Sequence, residues 1–150
     1  MTSYPAGTDC VWIASDRHNH VGAFITAGAG PIPASAFNAD RVPIERVEEH
    51  LCRLPIVSSA HLLVAVKSPA SFVDLAERGL FVYDWADVHR SIRNERRTYE
   101  PVAVPATPLR SDRLPADLNV LADQLRLPEI RFGRETFVDI RSILPCVEAE

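Results

Sequence analysis

Apolar residues along this chain fall into short runs whose spacing changes from element to element. Residues 10–15 (CVWIAS) and 20–26 (HVGAFIT) are apolar at nearly every position, which predicts two strands buried on both faces. Asp16-Arg17-His18-Asn19 between them is short, polar and turn-forming, so the pair reads as a β-hairpin. Gly28-Ala29-Gly30-Pro31-Ile32-Pro33 then breaks any regular element and reads as a loop. Over 41–54 the period changes to that of a helix. Ile44, Val47, Leu51 and Leu54 share one face, while Glu45, Glu48, Glu49 and Arg53 occupy the other, with Glu49 and Arg53 at i,i+4. Asp40 can cap this helix, Pro43 is tolerated in its first turn and Pro55 stops it.

The second half alternates more loosely. Residues 61–66 (HLLVAV) predict a short buried strand. A helix follows, with Ser68 as N-cap, Pro69 at its first position and Gly79 at its C-terminal cap. Residues 80–84 (LFVYD) are the next strand, so a parallel βαβ unit is allowed, although its connection is short. Residues 85–97 are arginine-rich and read as a helical turn followed by a loop. Tyr99 to Val104 is a strand that Pro101 demotes to a sheet edge. A proline-bracketed linker over 105–114 leads to a helix over 115–126, with Leu118, Leu121, Ala122 and Leu125 on one face. Residues 129–132 and 136–140 read as a second hairpin, and the tail from Arg141 as irregular. The order β-β-α-β-α-β-(α)-β-α-β-β predicts a single α+β domain. Its sheet is mixed or mainly antiparallel, it begins with a hairpin, and about three helices pack on one face.

Composition narrows the function classes. A chain of 150 residues, 47% hydrophobic and 24% charged, is long enough to bury a core without disulfides or metals. The net charge of −4 does not suit a general nucleic-acid binder, and weakly suits a basic partner. Cys10, Cys52 and Cys146 are too few and too scattered for a disulfide framework, and read as free thiols. The segment from Met1 to Asp9 lacks an apolar core, and no apolar run approaches a membrane span. The expected compartment is therefore the cytoplasm.

No set of reactive residues has a catalytic spacing. Cys10, His18, His20, His50 and Cys52 could ligate a metal, but they form no recognised ligand motif, and neither metal nor cofactor is expected. Serines, the three cysteines, His50, His61 and His89 supply the ingredients of nucleophilic catalysis without a nucleophile elbow. His61 reads as a hydrogen-bonded structural histidine. Gly28-Ala29-Gly30 lacks the third glycine and the free N–H groups of a phosphate loop, and reads as a tight turn. Arg90, Arg93, Arg96 and Arg97 form a basic run that neighbouring acids can neutralise, with only Tyr99 adjacent for base stacking.

Two acidic groupings remain. Asp84 and Asp87 flank the end of a strand, with Trp85 between them as a possible pocket wall and His89 nearby. Glu45, Glu48 and Glu49 could present carboxylates to a cationic partner. Asp16 to Phe24 running into Gly28–Pro33, together with Val82-Tyr83-Asp84-Trp85, Tyr99 and the proline-rich stretch before Leu114-Pro115, resembles small bacterial immunity-type proteins found beside polymorphic toxins. That resemblance implies a cytoplasmic protein that binds and blocks one cognate toxin, and it assigns no contact residue. The expected function is therefore a non-enzymatic, immunity-type inhibitor with a protein partner, contacting it through Glu45, Glu48, Glu49, Asp84, Trp85 and Asp87. One alternative is a small enzyme with a cleft at Asp84, Trp85 and His89. The other is an oligomeric subunit that buries an apolar edge at Tyr99–Val104.

Overall fold

The computed structural model describes residues 4–5, 7–37, 42–85 and 98–149. Strands β1 (Val11–Ser15) and β2 (Val21–Ile25) pair antiparallel, with Val11 opposite Ile25 and Ser15 opposite Val21. The turn joining them closes through Asn19 N–H to Asp16 O at 3.0 Å and Asp16 N–H to His20 O at 3.0 Å. Asn19 sits at φ 62°, a left-handed conformation that asparagine tolerates better than most residues. All ten strand residues are buried, as their continuous apolar character predicts. The period of two divides them between two cores. Val11, Ile13, Val21, Ala23 and Ile25 face one, and Trp12, Ala14 and Phe24 face the other.

Strands β3 (Ile32–Pro33), β4 (Ala60–Leu62), β5 (Phe81–Trp85), β6 (Tyr99–Pro105) and β7 (Cys146–Val147) complete the set. The main sheet has the order β1-β2-β5-β6-β4. Its β2–β5 pair is parallel and its other pairs are antiparallel, so the sheet is mixed. Helices α1 (Val47–Leu51), α2 (Ala70–Ala76) and α3 (Ala116–Gln124) all feed the first core, through Val47, Leu51, Leu75, Ala76, Leu118, Leu121 and Ala122. The architecture is the expected α+β arrangement with helices on one face. The opposite face is covered by less regular chain, which contributes Ile32, Ala36, Leu125, Leu127, Phe132, Val138 and Ile140. Among the described residues no helix is long and apolar enough to cross a membrane.

Several elements differ from the sequence expectation, each for a visible reason. Strand β6 is not an edge, because it lies between β5 and β4. Pro101 is accommodated by a register shift. Val82 faces Ala103 and Tyr83 faces Pro101, so Val102 is the extra residue of a bulge, one of the few interior places that tolerate a missing N–H. The apolar edge at Tyr99–Val104 required by the oligomer alternative is thus already covered on both sides. Strand β4 is shorter than 61–66 and only half-buried, because it is itself the edge. It runs in the same direction as β5 but pairs with β6, so β4-α2-β5 is a βαβ unit split by an inserted strand.

Segments 129–132 and 136–140 form no hairpin. Val138 instead exchanges backbone hydrogen bonds with Tyr99, at 2.9 and 3.0 Å, while Phe132 packs on the sheet face. The loop at 28–33 and the tail from Arg141 each supply a short strand, since Ile32–Pro33 pairs with Cys146–Val147. The helix expected over 41–54 is a 3₁₀ turn, Ile44–Arg46, leading into the shorter α1, and Asp40 lies outside the described residues. Pro69, not Ser68, occupies the N-cap position of α2, without a side-chain cap, and Gly79 at φ 91° follows its C-terminus.

Candidate functional site at the acidic edge

The acidic helix face lies beside the start of β1. Glu45 and Glu49 are exposed and Glu48 is half-buried, as the opposition to Ile44, Val47 and Leu51 requires. Glu49 stands 3.9 Å from Arg53, the expected i,i+4 pair. The fold adds Asp9, which sequence spacing could not connect to this face. Its carboxylate accepts the Ala27 N–H at 2.9 Å at the mouth of the hairpin. Burial, and then the Asp9 charge, raise the Glu48 carboxyl above its ordinary range. Burial also raises Asp9, against the lowering effect of its hydrogen bonds from Ala27 and Thr26. Glu45, Asp9 and Glu48, after burial, push the Cys10 thiol up to about 11, which places all three carboxylates in one electrostatic neighbourhood.

This crowding has a pH signature. A carboxyl whose folded-state pKa is raised destabilises the fold while ionised, and that destabilisation disappears once the group is protonated in both states. Glu48→Gln is therefore expected to raise stability slightly at neutral pH. The gain should vanish as pH falls below the ordinary glutamate range, which urea denaturation at neutral and acid pH would show. An equal gain at both pH values would remove the charge explanation.

Asp84 and Trp85 lie at the same end of the sheet, since Asp84 faces Ile25 across β2. Both are packed inside, at 9% and 7% exposed, so as described they offer little surface to a partner. Trp85 meets Tyr99 edge-on at 5.1 Å between ring centroids, and the Arg141 guanidinium stands 5.2 Å from its ring. Gly30 closes the same packing, since a β-carbon there would come 2.5 Å from the Tyr99 hydroxyl and 2.9 Å from Trp85 Cβ. Among the described residues Trp85 is therefore part of a filled cluster with Tyr99 and Gly30. Asp87, His89 and the arginine run 90–97 lie outside the described residues.

The reactive groups elsewhere point away from thiol chemistry. A nucleophilic cysteine needs a lowered pKa, yet burial raises all three thiols, with Cys146 reaching about 11 and Cys52 raised further by Glu48. His61 is exposed on edge strand β4, not held inside a buried strand as expected. His18 and His20 stand 6.0 Å apart between ring centroids, and among the described residues no three His, Cys, Asp or Glu side chains are grouped to hold a metal. The 28–30 turn is a tight turn as predicted. Its Ala29 and Gly30 N–H groups both donate to Thr26 O, at 3.0 and 2.8 Å, and so are already taken. A small apolar cavity of about 10 Å³, lined by residues including Trp12, Ile44, Val47 and Leu121, has room for roughly one water and few polar groups to hold it. No protein-family model, curated protein or solved structure matches the chain.

Proposed function

We propose that this chain is a non-enzymatic binding protein, an immunity-type inhibitor that occludes the active cleft of a cognate bacterial toxin. The acidic edge of Asp9, Glu45, Glu48 and Glu49 is its contact surface. The carrying observation is that Asp9 and Glu48 are both held above their ordinary range by partial burial, Glu48 also by the Asp9 charge, beside the exposed Glu45 and Glu49, with no ion pair to Asp9, Glu45 or Glu48 among the described residues. A cationic partner surface would relieve that repulsion, so the edge is more complementary to an arginine- or lysine-rich patch than to water. The chain's net charge of −4 acts in the same direction at longer range. The resemblance of the hairpin and of the Val82–Trp85 segment to immunity-type proteins supports the same reading.

Occlusion requires a pre-formed surface rather than a moving part. Here the 3₁₀ turn and α1 are pinned by Val47 and Leu51 in the first core and Ile44 in the second, each no more than 4% exposed. Electrostatic complementarity of this kind acts mainly on the association rate. The test is co-expression with the product of the adjoining reading frame, followed by isolation of the complex and assay of the neighbour's toxicity. A 1:1 complex with suppressed toxicity is expected. Combined Glu45→Lys, Glu48→Lys and Glu49→Lys should slow association roughly tenfold or more at low salt, and less at high salt. A neighbour that neither binds nor is inhibited removes the immunity reading, and a triple variant with wild-type association moves the interface off this edge.

A further inference from the structure

The charge reverses at the other end of β1. The 16–20 turn is wedged between two segments distant in sequence. Ser111 N–H donates to Asn19 O at 2.7 Å and His20 bridges Arg110 on one side. On the other, Arg17 N–H donates to Ile130 O at 2.8 Å and Ser15 bridges Arg126. This wedging gathers Arg17, His18, His20, Arg110, Arg126 and Arg131 around one turn. Arg110 Nη1 donates to His18 O at 3.4 Å, and Arg126 Nη1 donates to Asn19 Oδ1. Burial, then the neighbouring His18, Arg110 and Arg131 charges, lower the His20 pKa against the opposing effect of Asp16, and the Arg17 N–H to Ile130 O bond seats the residue next to Arg131 against the same turn.

The nearby acids offset this cluster only in part, since among the described residues Arg110 alone of its arginines has an acidic partner, Asp112. The Asp16 carboxylate is fully buried and faces inward, accepting the N–H groups of His18, His20 and Phe132 at 2.9, 3.0 and 2.9 Å. Asp112 lies 3.6 Å from Arg110, and Glu129 is exposed in the 127–132 turn. Among the described residues Arg17, Arg126 and Arg131 make no ion pair, and all three are exposed. Guanidinium forks match the oxygen geometry of oxyanions, and a turn already fixed by Asp16 loses little freedom on binding one. The ring beneath His20, Phe81, is buried and so offers no face for base stacking.

We infer that this turn is a binding site for a phosphate-type oxyanion, held by the Arg110, Arg126 and Arg131 guanidinium groups with His18 and His20 at its margin. The site lies at the far end of β1 from the acidic edge, so its occupancy is independent of the partner proposed above. The two histidines make it directly observable. In ¹⁵N-labelled full-length protein, titration with pyrophosphate at constant ionic strength should shift the His18 and His20 ring resonances saturably and leave those of His50 and His61 in place. Arg110→Gln combined with Arg131→Gln should weaken that binding at least tenfold while the far-UV circular dichroism spectrum is retained.

A parallel titration with a short oligothymidylate separates the sources of the anion. Tighter binding than pyrophosphate identifies a nucleic-acid backbone, and weaker binding identifies a free phosphate compound. No saturable shift by about 10 mM pyrophosphate, a threshold already weaker than millimolar affinity, would overturn the inference. So would shifts shared equally by His50 and His61, or wild-type binding by the double variant.

Discussion

Asp16→Ala is expected to lower stability by about 3–5 kcal/mol, because it strips a buried charged acceptor from several donors at once. The Asp16 side chain is 0% exposed. One carboxylate oxygen takes the His18 and His20 N–H groups and the other takes the Phe132 N–H, all within 3.0 Å. Two of those donors lie in the hairpin turn and the third lies 116 residues away in sequence, so this one side chain ties a local turn to the chain covering the sheet. Alanine would leave the Phe132 donor buried and unpaired. A loss of this size is a large share of the roughly 5–15 kcal/mol that stabilises a domain, and corresponds to a melting temperature lower by about 10 °C.

Asp16→Asn separates charge from shape. Its amide oxygen can keep the two turn donors, but its NH₂ then opposes the Phe132 N–H, so a smaller loss of about 1–3 kcal/mol is expected. Denaturant melts of both variants test the account. An alanine variant within about 1 kcal/mol of wild type would mean that water replaces the carboxylate, which the 0% exposure of Asp16 argues against.

Phe24→Ala should have an effect of similar size by a different route. Phe24 is 0% exposed and sits at the centre of the aromatic face of the sheet. Its ring stacks on Trp12 with centroids 4.1 Å apart and planes within 5°, lies 4.9 Å from Tyr83, and meets Tyr99 and Phe132 edge-on at 5.3 and 5.8 Å. Truncation removes its burial, leaves a cavity and deletes several ring contacts, together about 3–5 kcal/mol. The Trp12 indole also donates to the Tyr99 hydroxyl at 3.2 Å, and that hydroxyl donates to Pro31 O at 2.8 Å. Loss of the stack should therefore loosen Trp12 and weaken its near-UV circular dichroism. Phe24→Leu fills more of the space and should cost about half as much. A loss below about 1 kcal/mol in the alanine variant would show that the cluster collapses into the vacated volume.

The candidate sites were unevenly legible. The acidic face of Glu45, Glu48 and Glu49 follows from the spacing of Ile44, Val47 and Leu51, because a helical period fixes which side chains point outward. Asp9 could not be added to it, since only the pairing of β1 with β2 and the seating of α1 against β1 bring residues so far apart together. The oxyanion turn was harder still. Its arginines come from separate segments, each bland alone, and the sequence showed His18 and His20 only as possible metal ligands. Asp84 and Trp85 stood out in sequence because they end a strand, yet position along a strand does not report burial, and both are inside.

Local periodicity determined the hairpin, its burial on both faces, most of the inward helix positions and the α+β class, because each depends on neighbours a few residues apart. Ile44 and Leu125, expected to share the faces of Val47 and Leu121, instead join the opposite core, because the helical period does not extend through the 3₁₀ turn at Ile44 or past the end of α3. Tertiary structure alone decided that Pro101 lies in a bulge of an interior strand, that β6 separates β4 from β5, and that Phe132 and Val138 cover the sheet instead of pairing with each other. Those outcomes depend on which distant backbone offers the unpaired N–H and C=O groups a partner and which apolar surface remains uncovered, and no window of neighbouring residues contains that information.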